Sequence, residues 1–434
     1  MNSHSKRLSL ISSTLYKQYD NVRKFCAMRY QFALALVALA TLPCIPSTAQ
    51  KEIKDIRAAI KAKKPAEALQ LIEKKRKDTS TVCDARVYYL GVEAAKLQNE
   101  QENERIYLQQ KPDTSAYFKS LHSLFTYAVL TDSAEMQGLK DAHKQPSHRA
   151  TLNTLLNRYY PNLSAAAQYF SSKNDWDNAR LMAQLTLDVR KSAIFSQSAP
   201  TTLTHQQVVT NAEHYIYACF ASGNYKEAER YVDIALKDSD NLASLYETLA
   251  LINAANKNEK GYRHYLLQGV EAFPLHPFFF KALAEDYFAD KDYTAVVDLA
   301  NKLALKDKTN GQFRITAAQA YDLLKQNDQS IQTAQAALTC DSTLLRAHLY
   351  IGRAYYRKAR AIQLPTSIRS AGYKQALEQQ KGWYEKARPH LETFRANYPL
   401  ESQEWQPLLY EVYLKLNLGK EFETISQSSI PHKS

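Results

Sequence analysis

Three arginines, Arg346, Arg353 and Arg357, stand at i, i+7 and i+11, a spacing that puts their guanidinium groups on one face of a helix. A guanidinium can hold a carboxylate through two parallel hydrogen bonds, so the chemistry on offer is capture of acidic groups rather than bond-breaking. Residue patterns for covalent chemistry are missing from the sequence. There is no G-x-S-x-G, no H-E-x-x-H, no Walker loop and no glycine-rich dinucleotide fingerprint. The histidines are scattered, with no i, i+4 pair flanking a carboxylate. Asp238-Ser239-Asp240-Asn241 faintly suggests a calcium loop but lacks the glycine and distal glutamate, and it reads as a helix-ending turn. Glu285 and Asp286 are neighbours, yet successive residues point to different helix faces, which argues against a paired acid and base. The expectation is a chain without catalytic, metal-binding or cofactor-binding residues.

The elements that would carry such an arginine face are visible in a repeat. Tyr225, Ala228, Ala235 and Asp240 line up, one 34-residue step on, with Tyr262, Gly269 and Pro274, and two steps on with Tyr293. Ser330, Ala334 and Ala337, then Ile351, Gly352 and Tyr355, continue the series. A fixed period of this size marks stacked units that cannot bury their apolar faces alone. Each unit reads as two helices. Leu249 to Ile252 fill a first one, and Tyr262, Leu266, Gly269 and Val270 line a second at i, i+4, i+7 and i+8 before Pro274 ends it. Ala228, Ala284, Ala318 and Gly352 are small residues placed for close helix crossing. Only 10 glycines among 434 residues suit a helical chain, and the 29 tyrosines suit shallow helix seams with a wet edge.

At this point the chain resembles the tetratricopeptide repeat family, whose pattern runs W-x2-L-G-x2-Y. His348-x-x-Ile351-Gly352-x-x-Tyr355 carries the resemblance most clearly, Trp405 with Leu408 opens the last unit, and Gly223-Asn224-Tyr225-x-x-Ala228 matches the turn into a second helix. The resemblance implies an all-α fold, a right-handed superhelical solenoid of antiparallel helix pairs. It also implies an inner groove lined by set positions of each first helix. Here those positions hold Tyr217 and Phe220, then Phe278, Lys281, Glu285 and Phe288, then Arg346, Arg353, Tyr356 and Arg357, and finally Tyr410. Aromatic rings beside guanidinium groups suit an acidic or extended peptide of a protein partner. The alternative is that the rings pack within the array and the arginines are solvated. The family's clamp for chaperone tails needs Lys and Asn at positions where this chain lacks them, so that specificity is not implied.

Repeats of this kind are expected over 159–434, with insertions near 191–207 and 358–382, and degenerate helical pairs over 50–158. Residues 1–49 read as an export signal. Phe32 to Leu42 is apolar but for Thr41, follows Lys24 and Arg29, and is broken by Pro43 and Pro46 before small residues at Ser47-Thr48-Ala49. That run is too short to cross a bilayer core, which takes about 20 apolar residues. Met28 directly precedes it, so residues 1–27 stand as a mis-set start if translation begins there. Leu42-Pro43 before Cys44 fits a lipidation motif badly. A periplasmic or outer-membrane-associated location follows as an expectation, with a starch-binding-type glycan-uptake protein as the alternative to a protein-binding scaffold. Of the formal charge of +12, three Lys, three Arg and one Asp in residues 1–50 supply five, leaving a modest surplus that speaks to solubility. Lys74-Lys75-Arg76-Lys77 has no interleaved aromatic residue and reads as a helix end rather than a nucleic-acid patch. Cys83, Cys219 and Cys340 show no paired spacing and are expected to be free thiols packed as small apolar groups.

Overall fold

The computed structural model describes residues 47–77, 84–139, 144–195, 203–237 and 239–428. The apolar run Phe32–Leu42, Met28, Cys44 and Cys83 lie outside them. The described residues form helices and connecting turns without a strand, so the chain is all-α. No helix among them is long and apolar enough to cross a membrane. The chain divides into two compact units between His148 and Arg149, ten residues before the boundary expected from the repeat.

The first unit holds α1 (Ser47–Lys61), α2 (Pro65–Lys77), α3 (Ala85–Tyr107) and α4 (Thr114–Gly138). The junction expected before Gln50 falls in the first turn of α1. Within the stretch expected to hold degenerate pairs, α3 and α4 are two long regular helices packed on each other. Gly91 permits that packing, because a Cβ there would meet the Tyr127 ring at 2.6 Å. Asn99 locks the pair further by donating to the Tyr117 carbonyl at 3.1 Å and to Ser120 Oγ at 2.9 Å. Helices of 23 and 25 residues overrun a 34-residue unit, which is why the pattern blurs there.

The second unit is built of consecutive helix pairs. It opens with α5 (Arg149–Tyr159), α6 (Pro161–Ser172) and α7 (Trp176–Asp188), followed by α8 (His205–Ala221) and the short α9 (Val232–Ala235). Then come α10 (Leu242–Ala255) with α11 (Glu259–Ala272), α12 (Pro277–Ala289) with α13 (Tyr293–Lys306), and α14 (Gly311–Leu323) with α15 (Asn327–Cys340). The series ends with α16 (Ala347–Arg360), α17 (Tyr373–Asn397), α18 (Ser402–Leu416) and α19 (Gly419–Ser428). Apart from the short α9, each helix packs on its chain neighbours in this unit, and α14 also touches α16 as α16 touches α18, so first helices of successive pairs line up.

The period is written into the backbone. Gly223, Lys257, Lys291 and Lys325, 34 residues apart, all have left-handed φ values of 75°, 58°, 60° and 58°. Each ends a first helix in a Schellman turn. The N–H of Asp292 reaches the Tyr287 carbonyl at 2.9 Å and that of Lys291 reaches Phe288, and the same two bonds recur at Lys257 and Lys325. The next residue then starts the second helix, with Asn258 and Asp292 accepting from the backbone N–H groups of Gly261 and Ala295.

Local departures have local causes. The second helix expected after Tyr225 is a 3-10 turn (Ala228–Tyr231) followed by one α turn, because Tyr231 sits at φ −126° and leaves helical geometry. Tyr231 packs edge-on against Tyr215 at 4.7 Å. Of the insertion near 191–207, residues 189–195 are short 3-10 turns and α8 begins at His205. The insertion near 358–382 is an irregular stretch after Arg360 that leads into a helix of 25 residues, α17. Gln380 ties the two together by donating to the Ala359 and Ile362 carbonyls. Cys219 is buried and free, as expected, but Cys340 is exposed at the end of α15, where the last turn faces solvent.

Candidate functional site

Facing first helices α12 and α14 enclose a cavity of about 560 Å³ in the second unit. Phe280 and Phe313 form its floor, their rings meeting edge to face at 4.7 Å and 82°. Ala284 keeps that floor low, and Phe288 closes one end while leaning on Tyr293. The α14 wall is a polar ridge of Gln312, Thr316 and Gln319, spaced i, i+4 and i+7. On the α12 rim stand Lys281 and Glu285, both exposed. They are four residues apart but form no ion pair with each other or with any other described residue. At the mouth, His276 has its Nδ1 buried without a hydrogen-bond partner. A floor of aromatic rings flanked by free amides and one charge of each sign leaves apolar area, hydrogen-bonding groups and both signs of charge open on one surface.

The arginine face is organised in the opposite way. Asp322, on α14 and only 3% exposed, is shared by Arg353 at 3.2 Å and by Arg357. Arg353 also pairs with Glu404 of α18, and Arg357 donates to Asn327 Oδ1 at 2.8 Å. Arg346 makes two bonds to Glu401, at 2.6 and 2.7 Å, and lies over the rings of Phe394 and Tyr398. Tyr356 is buried and donates to Glu411; burial and that carboxylate push its hydroxyl up to about 12. The carboxylates expected from a partner are thus supplied by the chain itself. This part of the expected groove is a set of ties between α14, α16 and α18 rather than a row of unpaired guanidinium groups.

The remaining groove positions are dispersed. Lys281 and Phe288 line the α12–α14 cavity. Phe278 is turned against Phe279 at 5.4 Å and is not part of the lining. Tyr217 is half-buried, its hydroxyl enclosed without a partner and pushed up to about 12 by burial. Phe220 rests against Tyr225. Tyr410 is exposed beside Phe422 and borders a separate shallow depression with Gln406 and Pro407. The α14 ridge was missed by the sequence reading. Stepping back 34 residues from Arg346 and Arg353 reaches Gln312 and Gln319, so the period itself held the signal.

A second polar cluster joins α16 to α17. His348 Nδ1 and His390 Nδ1 are 2.8 Å apart, one ring donating to the other. Burial lowers both, and the nearby His348 adds to the effect on His390, which falls to about 4. Tyr355 stacks on Trp383 at 5.7 Å on the same seam, and Lys358 and Lys386 lie over the Trp383 ring.

No family model and no curated protein matches the sequence. Solved structures similar to this chain include the TPR2AB-domain:pHSP90 complex of yeast Sti1, at 14% identity over 59% of this chain and 98% of that one, with a TM-score of 0.21. The TPR domain of P58(IPK) is 11% identical over 85% and 98%, with a TM-score of 0.24. Yeast Tom70 is 12% identical over 89% and 97%, with a TM-score of 0.26. At such scores the likeness carries no weight of its own, and the period, the left-handed turns and the helix pairing stand without it. The chain is an all-α array of helix pairs whose turns recur every 34 residues.

Proposed function

We propose that this chain is a non-enzymatic scaffold of the cell envelope that binds a protein partner along the first helices of its second unit. The observation that carries the reading is the α12–α14 cavity, where apolar floor, free amides and unpaired charges converge. Its volume of about 560 Å³ suits one or two side chains of a partner, with the flanking helices supplying further contact area. The envelope location rests on the charged, apolar and small-residue succession before Gln50.

Thr316 sits half-buried on the cavity wall, and Thr316→Arg fills the space without touching the helix-pair seams. Affinity capture from envelope extracts of the source cells should recover a defined partner with the wild-type chain and lose it with this variant. Recovery of the same partner by both chains would move the binding surface elsewhere. Cell fractionation tests location separately, and a purely cytosolic chain would remove the envelope from the proposal.

A further inference from the structure

Two features of the α12–α14 cavity say more about what enters it, given that it is the binding site proposed above. The first is its length scale. A helix rises about 1.5 Å per residue, so Gln312 and Gln319 stand about 10.5 Å apart along α14, and Lys281 and Glu285 about 6 Å apart along α12. An extended chain advances about 3.3 Å per residue. The two amides therefore match main-chain groups three residues apart. The two charges match side chains two residues apart, which in an extended chain point to the same side. The second feature is that Lys281 and Glu285 are both exposed and both without a partner. Each is free to meet a charge of the opposite sign.

We infer that the cavity takes an extended peptide in which a bulky apolar residue is flanked on its two sides by one acidic and one basic residue. The apolar side chain rests on the floor formed by Phe280 and Phe313, and the two flanking side chains, which point away from that floor, are met at the rim, the acidic one by Lys281 and the basic one by Glu285. Gln312 and Gln319 hold the main chain. Peptides with two like charges at the flanks place one of them against a like charge of the rim.

The test uses the full chain and three end-blocked, fluorescein-labelled peptides that differ only at the central triplet: Asp-Leu-Lys, Asp-Leu-Asp and Lys-Leu-Lys. Fluorescence anisotropy should rank Asp-Leu-Lys first, by about two- to five-fold, the range that solvent-exposed ion pairs supply. Glu285→Lys should move first place to Asp-Leu-Asp, and Lys281→Glu should move it to Lys-Leu-Lys. Both residues are exposed, so both variants should keep the wild-type melting temperature. Equal affinity for the three peptides, with binding abolished by Thr316→Arg, would overturn the charge pattern and leave the cavity as the binding site. A ranking that ignores the two charge variants would do the same. Failure of all three peptides to bind would overturn both the pattern and the cavity.

Discussion

The first helices α14 and α16 carry the same register of the same repeat, yet one borders an open cavity and the other a closed ionic seam. Gln312 and Gln319 stand one 34-residue step before Arg346 and Arg353. On α14 the two positions hold uncharged amides that face free space. On α16 they hold guanidinium groups, and the chain meets them with Glu401, Asp322 and Glu404. Charge at a groove position is therefore a poor guide to an available surface. The buried member of this seam is Asp322, which has to be matched within the fold, because an unmatched buried charge costs several kcal/mol, on the order of 3–5. An amide or an exposed lysine carries no such demand and stays available to a partner.

Breaking the closed side should have the largest effect. Asp322→Ala removes the one carboxylate shared by Arg353 and Arg357 and leaves two partly buried cations facing each other. Urea unfolding should show a loss of about 3 kcal/mol. On the open side, Lys281→Ala, which removes an exposed and unpaired charge, should stay within about 0.5 kcal/mol of the wild type. Equal losses from the two variants would erase the distinction between seam and cavity.

A smaller effect is expected from the closed side in acid. His348 and His390 are both held below the ordinary histidine value of 6.5, His390 at about 4. The folded chain thus binds fewer protons than the unfolded chain across this range. Their contribution is fully present above pH 6.5 and is lost as pH falls from there through about 4. The cations nearest this seam, Lys358 and Lys386 over Trp383, are also unfavourable to added positive charge. Thermal melts from pH 7.5 to pH 4 should show His390→Gln losing less of its melting temperature than the wild type does. Identical pH profiles would mean that other groups govern acid unfolding.

These contrasts show which features could be seen in the sequence. The helix pairs were legible because Tyr262, Leu266, Gly269 and Val270 repeat a packing need at every step, and packing between chain neighbours is local. The cavity was half legible. Lys281 and Phe288 stand at groove positions, but Phe278 at another such position turns onto Phe279 instead. The partners of the arginine face were not legible because they are distant in sequence. Glu401 lies 55 residues from Arg346, beyond the insertion, and Asp322 comes from the preceding pair. In the first unit, Gly91 and Tyr127 meet across helices too long for the period, so the repeat gave no warning of that contact.

The smallest prediction concerns the turns that both sides share. Gly223, Lys257, Lys291 and Lys325 occupy one structural position with φ near 60–75°, a conformation that costs an L-residue about 1 kcal/mol and glycine very little. Lysine occupies three of the four positions, so three turns carry that strain. The open and closed sides draw on the same turn, since Lys291 follows α12 and Lys325 follows α14. Lys291→Gly should therefore stabilise the chain by somewhat under 1 kcal/mol, because the relief of strain is offset in part by the greater freedom of glycine in the unfolded chain. Gly223→Ala should do the reverse by about 1 kcal/mol. Nothing lies within 4 Å of a Cβ built at Gly223, so that cost would come from the backbone alone. Opposite signs for the two substitutions in urea unfolding would establish the turn as a common element of the repeat. A loss from Lys291→Gly as large as that from Gly223→Ala would mean that the lysine side chain, and not the backbone angle, decides the position.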